Sequence, residues 1–323
     1  MTAVRFAALG DSITEGVGDA APTGPRGWAA VLAPSLSDGP VEFRNLAHSG
    51  ALSADLTRAQ LPAALHLRPT HAAVLIGGND TLRAGFDVAA TARHLDATLA
   101  ALRAQSSVLL TACLPDPGRL LRLPPPLARP LARRMRAVNA VVHALSARHS
   151  AAHLHLAELP WLTERALLSV DRLHPSTAGH HRIAREFHAV LAASGHRLGP
   201  APGADPPGAA PGLAADLHWM ATRGTRWVAA RCTDLLPGLL VLAAAEGGHL
   251  LRGTAGRLDA RAARAADAAL AALDPAAGAP RRAVETPPPS TPALHSAALG
   301  VQGVKGHTGL LYSRGGTGSN LPS

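Results

Sequence analysis

The chain has 323 residues, a length that fits one large domain or two smaller ones. Hydrophobic residues make up 47% of it, which is enough for a core, whereas aromatic residues make up only 3%, which argues against stacking on long carbohydrate chains. The formal charge of +9 comes almost wholly from arginine, and we interpret it as a solubilising surface charge rather than a nucleic-acid footprint.

The first residues lead directly into a strand-like run, without a basic segment followed by a long apolar one. We therefore expect no signal peptide. The longest apolar stretch, around residues 235–245, is about half of what spanning a bilayer requires. Cys113 lies in an apolar run and is predicted to be buried, and Cys232 is far away in the sequence, so we expect no disulfide framework. Together these features predict a cytoplasmic protein without an integral membrane segment.

Residues 1–198 alternate between segments typical of strands and segments typical of helices. Short apolar runs, compatible with strands, occur at residues 4–9, 41–46, 71–76, 108–114 and 153–156. Longer stretches compatible with helices occur at residues 27–36, 52–67, 88–105, 127–148 and 177–193. Such alternation predicts an α/β domain with a parallel sheet covered by helices on both faces. Active sites of these sheets lie beyond the carboxyl ends of the strands, where polar motifs of this sequence also fall.

The composition changes abruptly after this first domain. In residues 199–212, nine of fourteen residues are glycine or proline, which predicts a linker. Residues 213–274 regain helical character, including an alanine-rich helix predicted near residues 257–273. Residues 275–323 are rich in proline, glycine and serine and are predicted to be disordered.

Ser12 lies in the motif Gly-Asp-Ser-Ile-Thr-Glu-Gly at residues 10–16, where the first predicted strand ends. A turn leaving a central strand would expose its hydroxyl at the crevice, and a neighbouring base would activate it as a nucleophile. The flanking glycines permit a tight backbone. Taken alone, the motif is equally compatible with an ordinary turn in which Ser12 caps a helix.

Asp171 and His174 lie three residues apart in one predicted loop, late in the same domain. At this spacing the carboxylate can bind one imidazole nitrogen while the other nitrogen faces a serine. Pro175 disfavours helical backbone at His174 and keeps the loop extended. Ser176 or the next residue can then cap the following helix.

Two further motifs follow strand-like runs. Asn79 lies in Gly-Gly-Asn-Asp at residues 77–80, where its side-chain amide can point into the crevice as an oxyanion donor. Gly50 ends the segment Asn-Leu-Ala-His-Ser-Gly at residues 45–50, and its backbone N–H can serve the same oxyanion because no side chain blocks the approach. The alternative for both is a turn of ordinary composition.

The combined pattern over residues 4–195 resembles the SGNH (GDSL-type) hydrolase superfamily. The resemblance implies that Ser12 is the nucleophile, that Asp171 and His174 serve it, and that Ser12, Gly50 and Asn79 form the oxyanion hole. Residues 77–98 also look like the cytoplasmic esterases of this superfamily from actinomycetes. Asp11, beside the nucleophile, takes a supporting role.

For the fold, the resemblance implies a flavodoxin-like three-layer α/β/α sandwich with a five-stranded parallel sheet, here followed by a helical, partly disordered extension. For the chemistry, it implies a small-molecule ester substrate, an acyl-serine intermediate and neither metal nor cofactor. An acyltransferase with the same acyl-enzyme remains an alternative, as does specialisation as a lysophospholipase or deacetylase. A catalytically inert interaction protein is the third alternative.

Histidine pairs elsewhere in the chain raise the question of a metal. His153 and His155 would share one face of a strand, but the sequence shows no cysteine or carboxylate cluster beside them, so we assign no metal. We likewise assign no metal to His180 and His181.

Two other features have a structural and a functional interpretation. Four arginines on one predicted helix favour a solvated face, with attraction of an anionic substrate as the alternative; they are Arg129, Arg133, Arg134 and Arg136. Trp161 precedes the loop of His174, and core packing is favoured over a place in the wall of an acyl pocket.

Overall fold

The computed structural model of the chain describes residues 3–21, 24–161, 163–204 and 236–274. All of these belong to one compact unit, Met1–Ala279. The strands within them are β1 (Val4–Gly10), β2 (Ala20–Ala21), β3 (Gly24–Pro25), β4 (Val41–Asn45), β5 (His71–Leu75), β6 (Val108–Ala112) and β7 (Ala152–Leu154).

Five of the strands form a parallel sheet in the spatial order β4-β1-β5-β6-β7, as predicted. Strand β1 lies inside the sheet, with β4 on one side and β5 on the other. The chain winds outward from β1 to β4 and then crosses back to β5, so the winding direction reverses between β1 and β5. This is the flavodoxin-like order, in which ligands bind at the reversal, beyond the carboxyl ends of the strands.

Strand β1 shows why the sheet is buried on both faces. Phe6 and Ala8 pack into one hydrophobic cluster, whereas Ala7 and Leu9 pack into the cluster on the opposite face. All four side chains are fully buried. A strand covered on both sides is a continuous apolar run rather than an alternating one, which is why this run was recognisable in the sequence.

Helices cover both faces and complete the predicted three-layer sandwich. The α-helices are α1 (Ser12–Glu15), α2 (Gly27–Leu32), α3 (Ser53–Asp55), α4 (Leu61–Leu67), α5 (Gly78–Leu82), α6 (Val88–Ala104), α7 (Pro117–Leu120), α8 (Pro125–Arg148), α9 (Thr177–Ala193), α10 (Leu236–Leu251) and α11 (Ala255–Ala271). Helices α2 and α9 pack on one face, where Trp28 stacks on Phe187 with ring centroids 4.7 Å apart. Helices α4, α6 and α8 pack on the other. None of the described helices has the length and apolarity to cross a membrane.

The helix predicted over residues 52–67 contains an irregular turn that was not predicted from the sequence. Between α3 and α4 the chain forms one π-helical turn, Leu56–Gln60. Pro62, near the start of α4, has no N–H and therefore removes one regular helical bond at this point. The turn places Gln60 in the interior, where it is 3% exposed. Single π turns occur frequently at functional sites.

The two C-terminal helices pack against the first domain. Helices α10 and α11 contact α8, and α11 also contacts α6. Arg133 on α8 donates from Nη1 to Glu246 Oε2 at 2.9 Å and from Nε to Asp259 Oδ1 at 2.9 Å. Because Glu246 is only 1% exposed, this ion pair is largely removed from water, and its several hydrogen bonds offset the cost of desolvation.

The expectations for the rest of the C-terminal part are only partly covered by the described residues. Residues 205–235, which include most of the predicted linker, and the predicted disordered tail, 275–323, lie outside them. The domain boundaries at residues 198, 212 and 274 therefore stay a prediction.

Three of the four clustered arginines make contacts within the protein. Besides Arg133, Arg136 binds Asp259, with Nη2 3.0 Å from Oδ1. Arg134 donates to the carbonyl oxygens of Thr81 and of the residue two positions on, at 2.9 and 2.7 Å. These contacts favour a structural role over the binding of an anionic substrate.

Trp161 lies in the core, the position that the sequence favoured. It is 3% exposed, and its Nε1 donates to the carbonyl oxygen of Leu156 at 2.7 Å. The indole therefore anchors the segment after β7.

Candidate active site

Ser12 is the first residue of α1, immediately beyond the carboxyl end of β1. The cap of this short helix is Asp11, whose Oδ1 accepts a hydrogen bond from the Ile13 N–H at 3.1 Å. The alternative in which Ser12 acts as the cap is therefore wrong. Its hydroxyl is free for another contact, and Oγ lies 2.8 Å from Nε2 of His174.

The backbone of the serine turn requires glycine at position 10. A Cβ atom on Gly10 would lie 2.3 Å from the carbonyl oxygen of Leu75, on the neighbouring strand β5. The residue also has a φ of +155°, which side chains rarely adopt. Glycine therefore lets β1 turn sharply against β5 and present Ser12 at the edge of the sheet.

The Asp171 carboxylate is hydrogen-bonded to the imidazole of His174 and to the backbone of the same loop. Oδ2 of Asp171 lies 2.6 Å from Nδ1 of His174, and Oδ1 accepts from the backbone N–H groups of Leu173 and His174 at 2.9 and 3.0 Å. The Ser169 hydroxyl donates to Oδ1 at 2.6 Å. Burial pushes the pKa of Asp171 upward, but the hydrogen bonds and charge of His174 outweigh burial and hold this pKa well below its usual value.

The ends of this loop are fixed by backbone pairing. The Ser169 N–H donates to the His174 carbonyl at 2.9 Å, and Leu168 forms a β-bridge with Pro175. Ser176 then caps α9, with Oγ accepting from the Gly179 N–H at 3.2 Å, as predicted. The imidazole is therefore held from both sides of the loop.

Gly50 and Asn79 lie beside Ser12, on segments that follow β4 and β5. Gly50 has a φ of +81°, in the left-handed region that favours glycine, and no atom lies within 4 Å of the place a Cβ would take. Nδ2 of Asn79 donates to the carbonyl oxygen of Ala51 at 3.1 Å. That bond orients the amide and leaves its second hydrogen available to a ligand.

All six predicted site residues border one cleft of about 390 Å³. They are Asp11, Ser12, Gly50, Asn79, Asp171 and His174. Much of the remaining wall is apolar and includes Leu114 and Met135. The cleft lies at the carboxyl ends of the strands, where the sheet order places a ligand site.

Two side-chain amides that the motifs do not include, one buried and one half-buried, hold the strand ends on either side of this cleft. Gln60 binds both backbone groups of Gly10, accepting from N at 2.8 Å and donating to O at 2.9 Å. Asn139 does the same for Leu114, at 2.8 Å in both directions. The sequence carries no signal for these clamps, because each partner lies 50 or 25 residues away.

We expect Gln60→Ala to destabilise the protein and to displace Ser12. The change leaves the buried N–H of Gly10 unpaired, at a cost of about 1–3 kcal/mol, and leaves its carbonyl oxygen with only the longer bond from the His48 N–H, at 3.4 Å. A small shift of the nucleophile should lower kcat by about 10–100-fold with little change in KM. Urea unfolding and steady-state ester kinetics measure the two effects. Gln105→Ala is the matched control, because Gln105 donates to the Leu65 carbonyl at an exposed position. Equal behaviour of the two variants would contradict a positioning role for Gln60.

Asp11 is a buried carboxyl group, 4% exposed. Burial raises its pKa to about 6, against the opposing effects of the Ile13 N–H and the His174 charge. The folded protein therefore holds a proton that the unfolded chain releases at about pH 4. Stability consequently falls as the pH rises from about 4 to about 6, because the unfolded state binds fewer protons in that window.

Asp11→Asn should remove this pH dependence. Asparagine caps helices as well as aspartate does. We expect the free energy of unfolding to change little near pH 4 and to rise by about 3 kcal/mol near pH 8. Urea unfolding at both pH values gives the free energy of unfolding of variant and parent. In the difference between the two, the contributions of other titrating groups cancel. The same difference at both pH values would show that ionisation of Asp11 is not its cause.

The two histidine pairs have different surroundings. His180 is fully buried and satisfied: Nδ1 lies 3.2 Å from the Trp28 N–H, and Nε2 lies 3.0 Å from the Val17 carbonyl oxygen. For His153 and His155, the expectation that no cysteine accompanies the pair is wrong. The parallel pairing of β6 with β7 brings Cys113 beside them.

Comparison with known proteins agrees with the motifs. A model of the GDSL-like lipase/acylhydrolase family matches residues 8–182. Similar solved structures include TesA, with 25% identity over 58% of this chain and 97% of that one and a TM-score of 0.46. A lipase/acylhydrolase from Enterococcus faecalis has 19% identity over 61% and 98%, with a TM-score of 0.48. Axe2, an acetylxylan esterase from Geobacillus stearothermophilus, has 20% identity over 58% and 94%, with a TM-score of 0.48.

A search of the curated proteins finds no match. The family model spans more than half of the chain and contains every residue of the candidate site. The chain therefore belongs to the GDSL-like lipase/acylhydrolase family and is a hydrolase of the GDSL type, as its motifs predict.

Proposed function

We propose that the protein hydrolyses carboxylic esters through an acyl intermediate on Ser12. One observation carries the proposal: a continuous hydrogen-bonded chain that ends in the cleft. It runs from Asp171 Oδ2 to His174 Nδ1 at 2.6 Å and from His174 Nε2 to Ser12 Oγ at 2.8 Å. In such a chain the carboxylate fixes the tautomer of the imidazole, and the imidazole accepts the proton of the hydroxyl.

Acylation begins when Ser12 Oγ attacks the ester carbonyl carbon and passes its proton to Nε2 of His174. Asp171, held ionised, stabilises the imidazolium that forms. The carbonyl oxygen becomes an oxyanion. The backbone N–H groups of Ser12 and Gly50 and the side-chain amide of Asn79 donate to it, and one such donor stabilises the transition state by about 3–4 kcal/mol.

The tetrahedral intermediate then collapses. The bond to the alcohol oxygen breaks, and His174 gives its proton to the departing alcohol, which leaves the acyl group on Ser12 Oγ. Water enters by the same route: His174 takes one of its protons while the oxygen attacks the acyl carbon. Release of the carboxylic acid returns the proton to Ser12.

The cleft wall supports an apolar acyl group. Ile13, Leu82, Leu114, Leu120 and Met135 border the cleft next to the nucleophile. Its volume of about 390 Å³ lies at the lower end of the range for small-molecule sites. We infer that the acyl chain packs along this wall and that chains of moderate length fill it.

A series of p-nitrophenyl esters from acetate to dodecanoate tests the proposal. Each buried CH₂ group contributes about 0.8 kcal/mol, so kcat/KM should rise by roughly fourfold per CH₂ until the wall is covered and then level off or fall. Absence of turnover for every ester would contradict ester hydrolysis. A rate independent of chain length would contradict only the assignment of the acyl wall.

Transfer of the acyl group to an alcohol uses the same intermediate. Product analysis with added glycerol distinguishes the two reactions. Free acid as the main product is expected, whereas acylated glycerol in large excess would identify an acyltransferase.

A further inference from the structure

Four side chains capable of binding a metal converge at the edge of the sheet, outside the catalytic cleft. Cys113 follows β6, His153 lies in β7, His155 follows that strand, and His143 projects from α8. One donor atom from each lies within 4.8 Å of the donor atoms of the other three. The buried Leu154 separates His153 from His155, so both imidazoles lie on the same side of the chain.

His153 is held in an orientation that leaves one nitrogen free for a ligand. Its Nδ1 lies 3.0 Å from Thr111 Oγ1 and 3.1 Å from Ser146 Oγ. The single hydroxyl hydrogen of Ser146 is donated to the Val142 carbonyl at 2.6 Å, so the hydrogen between Ser146 and the imidazole comes from Nδ1. Nε2 therefore carries a lone pair.

No residue that the structure describes donates a hydrogen bond to that lone pair. Among the described residues, Nε2 of His153 is a buried side-chain atom without a partner. Buried polar atoms are almost always satisfied, and an exception suggests a ligand. The atom belongs to an imidazole whose ring centroid lies 4.4 Å from that of His143 and 5.2 Å from that of His155.

A carboxylate lies near His155. The imidazole Nδ1 lies 3.6 Å from Glu158 Oε1. Metal-binding imidazoles commonly have a carboxylate beside the nitrogen that does not bind the metal. His143 and His155 are exposed, so an ion can enter from solvent.

We propose that Cys113, His143, His153 and His155 bind one zinc ion. Three imidazoles and one thiolate are the N and S ligands that zinc prefers, and four protein ligands make a closed structural site. Zn–N bonds of about 2.0–2.1 Å and a Zn–S bond of about 2.3 Å place tetrahedral donors about 3.3–3.6 Å apart. Donor atoms already within 4.8 Å reach this geometry by small side-chain rotations.

The site ties together elements that support the catalytic cleft. Cys113 precedes Leu114, which borders the cleft and whose backbone is clamped by Asn139 of α8. His143 is on the same helix. Binding of zinc, with release of the Cys113 proton, would join α8 to the ends of β6 and β7 and stabilise that wall without taking part in the reaction.

Zinc titration of the full chain, after removal of metal with a chelator, tests the proposal. We expect one Zn²⁺ per chain by isothermal titration calorimetry and a rise in the unfolding temperature with zinc concentration. His143→Ala removes an exposed ligand without disturbing the core and should weaken binding by about 100-fold or more. His66→Ala, at an exposed position of α4, is the matched control and should bind zinc like the parent.

Cobalt reports the ligand set directly. Co²⁺ in the site should show the strong absorption of tetrahedral coordination and a thiolate charge-transfer band, and Cys113→Ser should lose that band. Absence of stoichiometric zinc binding by the parent chain would overturn the proposal. So would zinc binding by His143→Ala as tight as that of His66→Ala, because the ion would then be held elsewhere. Neither result would bear on ester hydrolysis.

Discussion

Ser12→Ala is expected to lower kcat/KM for p-nitrophenyl esters by about 10⁵-fold. The hydroxyl oxygen is the atom that accepts the acyl group, and alanine offers no replacement. The variant should fold normally, since Asp11 rather than Ser12 caps α1. Steady-state kinetics and urea unfolding together measure the two expectations.

Ser49→Ala is the matched control for this change. Ser49 also borders the cleft, but its hydroxyl donates to Glu15 rather than to an imidazole. A loss of less than about tenfold is expected, because no group of the proposed mechanism is removed. Comparable losses for the two variants would contradict the assignment of the nucleophile.

Asp171→Asn is expected to lower kcat by about 10⁴-fold. Asparagine has nearly the same shape and can still accept the backbone hydrogen bonds of the loop. Its amide, however, presents N–H to Nδ1 of His174, which selects the tautomer with the proton on Nε2. That nitrogen, 2.8 Å from Ser12 Oγ, can then no longer accept the serine proton.

A second substitution separates this effect from the loss of a charge. Asp87→Asn changes the cap of α6, where Oδ1 accepts from the Ala89 N–H at 2.8 Å, at a residue that does not border the catalytic cleft. Its kcat should match that of the parent, since asparagine retains the cap. If Asp171→Asn also retained full kcat, His174 would not need the carboxylate, and the proposed triad would be wrong.

The sheet and the candidate site could be predicted from the sequence, and the reasons are physical. Strands buried on both faces must be continuous apolar runs, so β1 and β5 were visible in the printed sequence. A parallel sheet brings the carboxyl ends of its strands together, which is why motifs containing Ser12 and Asn79, far apart in the chain, were expected to meet.

Features that depend on tertiary packing could not be predicted from the sequence. The π turn before α4 and the clamp of Gln60 on Gly10 have no local signature, because glutamine is an ordinary helix residue. Cys113 and His153 likewise lie 40 residues apart, and only the register of β6 against β7 brings them together. The sequence therefore indicated the reacting groups but not the residues that position them.

Fluorophosphonate labelling tests the central claim most directly. The serine oxygen attacks phosphorus and displaces fluoride, so an activated hydroxyl becomes covalently marked. We expect intact-mass spectrometry to show one adduct per chain, peptide mapping to locate it on Ser12, and Ser12→Ala to remain unmodified. An adduct on another residue, or equal labelling of Ser12→Ala, would contradict the assignment of Ser12 as the acyl-accepting nucleophile.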